Sequence, residues 1–192
     1  LNPVEMLCFI GKRGMGALEF EPAVPKGPDT STIVEISSLV KIANDILSGR
    51  QDLTTNLSEN EEHALLDILK IGTSAGGARA KAVIAFNPVT KEVRSGQVSA
   101  PKGFTHWIIK FDGVTDSQFG TAHGYGRVEM AYHLMARDAE IEMTECRLLE
   151  EEGRAHFMTL RFDREPGKGK IHMQSLCAMQ HYDFTDITIS SI

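Results

Sequence analysis

THWIIKFD, Thr105 to Asp112, sets one lysine inside a run of isoleucine, tryptophan and phenylalanine. β-Branched and aromatic residues at that density suit a buried strand. Lys110 is the exception, because an ammonium in an apolar run is costly to bury unless a negative group meets it. One reading is an edge-strand lysine whose stem lies on the sheet while its head reaches water. The other is a nucleotide site, in which a strand lysine pairs with phosphates and a helix carboxylate holds it in place. The next helix, marked by Val128, Tyr132 and Met135 and about ten residues long, supplies such a carboxylate in Glu129. Taken alone, Glu129 reads as a solvated helix-face charge.

Upstream of this strand, Gly72 to Lys81 reads GTSAGGARAK, with three glycines, two small hydroxyl residues and two cations. A glycine-rich loop lets backbone N–H groups approach phosphate oxygens, and a nearby lysine adds a full charge. The Walker pattern fails here: Gly72 and Gly77 have its spacing, but Ala78 and Arg79 stand where Lys and Ser or Thr belong. The spacing of Gly72, Gly76 and Gly77 fails GxGxxG as well. On these residues alone a flexible turn competes with a phosphate loop. The order glycine loop, strand lysine, helix glutamate is more telling, since a kinase amino-terminal lobe requires those parts.

Working outward, Asn2-Pro3-Val4-Glu5 predicts a short helix with Asn as N-cap, ended by Gly11 and the RGMG of residues 13–16. A loop with one short strand at Ala17–Phe20 follows. Thr32-x-x-Glu35 and Ser58-x-x-Glu61 are capping-box patterns. The first introduces Ile33, Ile36, Val40, Ala43 and Leu47, the second Ala64, Leu65, Ile68 and Leu69, both at helical spacing. Ala82–Phe86 and Glu92–Ser95 predict a hairpin across Asn87-Pro88, and residues 113–126 read as a loop. Glu145–Glu150 and Ala155–Phe162 predict two strands around Glu152-Gly153. Thr159 to Arg164 stands where a kinase lobe leads into its hinge; the alternative is an alternating strand with Phe162 in the core and Arg161 and Arg164 solvated. A turn at 165–170 then leads to a helix from about Ile171 to Tyr182. The fold class is α+β: a mostly antiparallel sheet preceded by a small helical region.

With 192 residues, 42% hydrophobic and 24% charged, the chain can bury a substantial core without cross-links. A formal charge of −6 argues against a mainly basic nucleic-acid binder. Cys8, Cys146 and Cys177 are odd in number and far apart, as in a reduced cytoplasmic protein. No long apolar run or signal-peptide pattern indicates membrane or export. The seven histidines form no HExxH or paired-ligand spacing, so no metal site is assigned. Trp107 reads as core.

GTSAGGARAKAVIAFN, HWIIKFDG, and RAHFMTLRFDR followed by HMQSLCA together resemble the HipA family of bacterial toxin–antitoxin kinases, as does CFIGKRGMGALEFEP near the start. The resemblance runs along nearly the whole chain in the right order. It implies a partial protein-kinase-like fold and a serine/threonine kinase that uses ATP with Mg²⁺ to phosphorylate a protein substrate of the translation-factor or aminoacyl-tRNA synthetase class. It also implies a HipB-like helix-turn-helix antitoxin as partner, with operator DNA engaged mainly through that antitoxin, and no membrane. Ser74 then matches an autophosphorylated serine. Ala75, Gly76, Gly77, Ala78 and Lys81 match the loop over the nucleotide phosphates. Lys110 matches the ATP-binding lysine with Glu129 as its partner, Leu160, Phe162 and Asp163 resemble the hinge for adenine and ribose, and Gln174 matches a glutamine beside the nucleotide. A phosphate on Ser74 adds nearly two negative charges and would repel a nucleotide from the loop, an off-switch.

The same comparison leaves a gap. Residues 1–71 read as a helical connecting region, 72–164 as the kinase-like lobe and 165–192 as the start of a second lobe. No catalytic-loop Asp and Asn follow, Asp183 and Asp186 lack an HRDxxxxN-like setting, and the chain opens at Leu1 inside a helix start. A catalytically inactive fragment with an exposed apolar face and a tendency to self-associate is expected. The alternative is a non-catalytic truncated regulator or antitoxin-binding module. A stand-alone nucleotide-binding fold unrelated to kinases is the weaker third possibility.

Overall fold

A computed structural model describes residues 2–24, 31–47, 66, 68–69, 79–116, 120–121, 123–165 and 169–181. The glycine-rich residues 72–78, with Ser74, Ala75, Gly76, Gly77 and Ala78, lie outside this set, as do Asp183 and Asp186. The described chain is α+β: five strands form one antiparallel sheet, flanked by helices on both faces.

Helix α1, Pro3–Ile10, begins as the sequence demands. The Asn2 side chain accepts from the Glu5 N–H at 2.9 Å, and the Glu5 carboxylate accepts from the Asn2 N–H at 2.9 Å. No strand follows at Ala17–Phe20; that stretch is bends and coil. Helix α2, Ile36–Leu47, starts three residues later than the capping-box pattern at Thr32 suggests. Thr32 to Val34 are extended instead: the Val34 N–H donates to the Val93 carbonyl and the Thr32 carbonyl accepts from the Ser95 N–H. An open sheet edge satisfies these β-branched residues better than a first helical turn would.

Strands β1 (Lys81–Phe86) and β2 (Val93–Ser95) form the expected hairpin. The Asn87 side chain closes the turn by accepting from the Val89 and Thr90 N–H groups. Strand β3, Thr105–Lys110, pairs with β1. Residues expected to be loop contain a two-stranded ladder, β4 (Thr115–Asp116) with β5 (Gly120–Thr121). After helix α3, Tyr125–Asp138, come β6 (Cys146–Glu151) and β7 (Arg154–Leu160), joined at Glu152-Gly153. The spatial order is β2-β1-β3-β7-β6. A small ladder of β8 (Arg164–Glu165) with β9 (Gly169–Lys170) ends the sheet region.

Strand alternation divides the sheet into two faces. Ala82, Ile84, Phe86, Trp107, Ile109 and Met158 point to one face and share a core with Leu39, Val40, Ile42 and Ala43 of α2 and with Ile68 and Leu69. Among the described residues before the glycine-rich segment, α2 and the pair Ile68 and Leu69 thus pack onto the sheet. The opposite face carries Lys81, Lys110 and Phe157 as cross-strand neighbours and receives α3.

Helix α3 corrects the sequence reading most sharply. Val128, Tyr132 and Met135, the residues that mark this helix in the sequence, are 47%, 66% and 63% exposed. Gly126 and His133 are the buried residues, on a face roughly 150° from Val128. Helix α4 is also shorter than expected: it runs Leu176–Met179, capped by Ser175, rather than beginning at Ile171. The Ile171 N–H donates to the Asp163 carbonyl and so extends the preceding ladder. Tyr182 lies outside the described residues.

Candidate functional site

Lys110 closes β3 on the face that α3 covers, and its Nζ donates to Glu129 Oε2 at 2.5 Å. Both side chains are half-buried, so the ammonium is held on one side and keeps donors for a ligand. The pair depends on how closely α3 approaches. A Cβ built on Gly126 would stand 1.8 Å from the Ala155 carbonyl oxygen, so only glycine lets the helix meet β7 at this spot. Glu129 follows three residues later on the same helix face, next to the lysine.

Lys81 sits directly across from Lys110 in the β1–β3 register and is almost fully buried. Burial lowers its pKa, the neighbouring Lys110 lowers it further, and Glu129 opposes both. The chain leaving the glycine-rich segment is anchored here: the Phe111 N–H donates to the Ala80 carbonyl, and the Arg79 guanidinium lies 3.5 Å over the Tyr125 ring. The exit of the loop and the strand lysine therefore share one end and one face of the sheet.

The second group of residues named from the sequence lies at the other end of β3. Leu160 pairs with Trp107 and packs partly against the core. Three residues of strand, about 10 Å, separate it from the Lys110 register. Phe162 is 59% exposed, and its backbone makes no hydrogen bond among the described residues. The alternating-strand alternative, Phe162 inside with the arginines in solvent, does not hold. Arg161 is buried, and so is Asp163, at 1% exposure.

Asp163 Oδ1 accepts from Arg161 Nε at 2.8 Å, and Oδ2 accepts from Arg161 Nη2 at 2.7 Å, Arg164 Nη1 at 2.9 Å and the Gly16 N–H at 2.6 Å. Burial alone would raise the Asp163 pKa, but the Arg161 and Gly16 hydrogen bonds and the two cations outweigh it and hold the carboxyl below its ordinary value. Both of its oxygens are thus engaged inside the protein. Gln174 is exposed in the segment before α4.

A third feature escaped the sequence reading altogether. His156 is fully buried on β7; its Nδ1 accepts from the Asp112 N–H at 2.9 Å, and Nε2 lies 3.4 Å from Glu151 Oε2. An acceptor Nδ1 fixes the neutral tautomer with its proton on Nε2. Burial pushes the imidazole pKa down, against Glu151, which raises it. His106, whose Nε2 lies 3.2 Å from the Val98 carbonyl, is likewise pushed down by burial. Both depressed values make the unfolded chain the better proton acceptor below about pH 6.5. Stability should be complete above that pH and decline as pH falls through it, by at most about 1.4 kcal/mol per pH unit for each histidine. Thermal unfolding midpoints at pH 7.5 and 5.5 check this; equal midpoints would contradict it.

Among the described residues no group of three or more His, Cys, Asp or Glu could hold a metal ion. No described helix is long and apolar enough to cross a membrane. Against known families, the HipA-like C-terminal domain matches residues 73–191. The chain belongs to that family. The HipA-like match begins inside the glycine-rich segment and takes in the Lys110–Glu129 pair, the Leu160–Arg164 segment and α4. No curated protein and no solved structure matches this HipA-like chain.

Proposed function

We propose that this chain carries the nucleotide-binding part of a HipA-like serine/threonine protein kinase. The Lys110–Glu129 ion pair carries this reading: a strand lysine held by a helix carboxylate is the device that kinases use to orient nucleotide phosphates. Two further observations fit ATP. The chain emerging from the glycine-rich segment is fastened beside Lys110, and the Leu160 register lies about 10 Å further along the sheet. Two residues beyond it, Phe162 offers an exposed ring and a backbone with no hydrogen bond among the described residues. That spacing is of the order that separates a nucleotide's phosphates from its base.

In this reading Lys110 holds phosphate oxygens, Glu129 keeps the ammonium in place, and Gly76, Gly77 and Ala78 supply backbone donors. Phe162 and the Leu160 backbone take the adenine. ATP with Mg²⁺, when bound, supplies the phosphoryl group. The acceptor would be a protein of the translation-factor or aminoacyl-tRNA synthetase class, with Ser74 as the self-modification site, and a HipB-like helix-turn-helix protein bound to operator DNA as the partner.

Calorimetric titration with ATP and Mg²⁺ tests the reading. Lys110→Ala should weaken affinity at least about tenfold, or 1.4 kcal/mol. Glu129→Gln should weaken it less, because the lysine keeps its charge. Unchanged affinity in Lys110→Ala would remove the basis for a kinase-type site.

A further inference from the structure

The segment after β7 is fastened to the amino-terminal loop through one buried carboxylate. Besides taking the Gly16 N–H, Asp163 draws in Arg164, whose Nη1 also donates to the Gly16 carbonyl at 3.0 Å and whose Nη2 donates to the Gly14 carbonyl at 2.9 Å. Lys170 adds a second tie, donating to the Lys12 carbonyl at 2.6 Å and to Glu19. Gly16 adopts φ +72°, and a Cβ there would lie 3.0 Å from Met173 Cγ and 3.3 Å from the Met173 nitrogen. Arg161 is tied on the other side, its N–H donating to the His106 carbonyl of β3 at 2.9 Å. With Arg161 and Asp163 both turned inward, alternation leaves Phe162 no inward place.

We propose that Asp163 is a positioning residue: its buried bridge to the Gly14–Gly16 loop holds the Leu160–Arg164 segment in the arrangement that presents Phe162 outward. That Phe162 then faces a nucleotide base rests on the function proposed above; the bridge itself does not. The amino-terminal loop thereby becomes part of the hinge, although about 150 residues of sequence separate the two.

The test is hydrogen exchange by mass spectrometry on the purified 192-residue chain, with ATP affinity measured in parallel. Gly16→Ala strains the loop backbone and crowds Met173 without removing any charge. Exchange of the 160–164 amides should rise at least about tenfold while β1 and β3 stay protected, and ATP affinity should fall. Arg164→Lys is the second variant should Gly16→Ala fail to fold: it keeps the cation but cannot span Asp163 and the Gly14 carbonyl together, and the same local rise is expected. Unchanged exchange at 160–164, or a uniform rise across the sheet, would overturn the proposal. A wild-type chain that binds no ATP, with the local rise still seen in the variants, would refute the nucleotide reading and leave the bridge intact.

Discussion

Asp163→Asn should lower the stability of this fold by about 3–5 kcal/mol, the usual effect of stripping one partner from a buried ion pair. Two guanidinium groups converge on that carboxylate, and both are inside the protein. Asparagine has nearly the same shape but carries no charge, and its NH₂ would point at donors where an acceptor is required. The backbone N–H of Gly16 would lose its charged acceptor as well. For a chain of this size the unfolding midpoint should drop by about 10 °C or more. A loss below about 1 kcal/mol would show that the cluster is solvated and behaves like a surface pair.

Gly126→Ala carries the second large effect, and its sign is informative. Judged as a helix position, the change should stabilise by about 1 kcal/mol, because alanine is the better helix former. Judged from the packed structure, the new methyl lands on the Ala155 carbonyl, and its nearest neighbours are all backbone atoms that cannot rotate away. The helix must lift from β7, and a net loss of about 1–3 kcal/mol is expected. Glu129 moves with the helix, so the Lys110–Glu129 contact should lengthen. Denaturant unfolding gives the sign, and a crystal structure of the variant gives the distance. A stabilised variant with an unchanged ion pair would mean that α3 does not approach the sheet this closely.

Much of the fold was legible along the chain. Strands β1, β3 and β7 announce themselves through dense β-branched and aromatic runs, and α1 through a reciprocal cap whose partners are three residues apart. Lys110 and Glu129 were legible for a related reason: a charge placed in an apolar strand demands a partner, and the next helix supplied it. Other features were hidden. The segment at 32–34 carries a helix-cap pattern and is extended, because its hydrogen bonds go to β2, about 60 residues away. In α3 the apolar residues at 128, 132 and 135 mark a helix but not the face that packs, and the sheet meets the face whose smallest residue permits close contact. The segment RFDR reads as solvated charges on an alternating strand. Arg161 and Asp163 are instead buried, and two carbonyls and an amide of the loop at 14–16 bond Asp163 and Arg164.

The sequence by itself determined the α+β class, the five strands of the main sheet, the lysine–glutamate pairing and the family. Each of these rests on residues that are near neighbours or on a charge that cannot stand alone in an apolar run. Only the tertiary structure decided which face of α3 packs, that Asp163 is sealed between two arginines, and that Phe162 turns outward. Those outcomes depend on the steric fit and hydrogen-bond closure of segments far apart in the chain, and no local pattern encodes such complementarity.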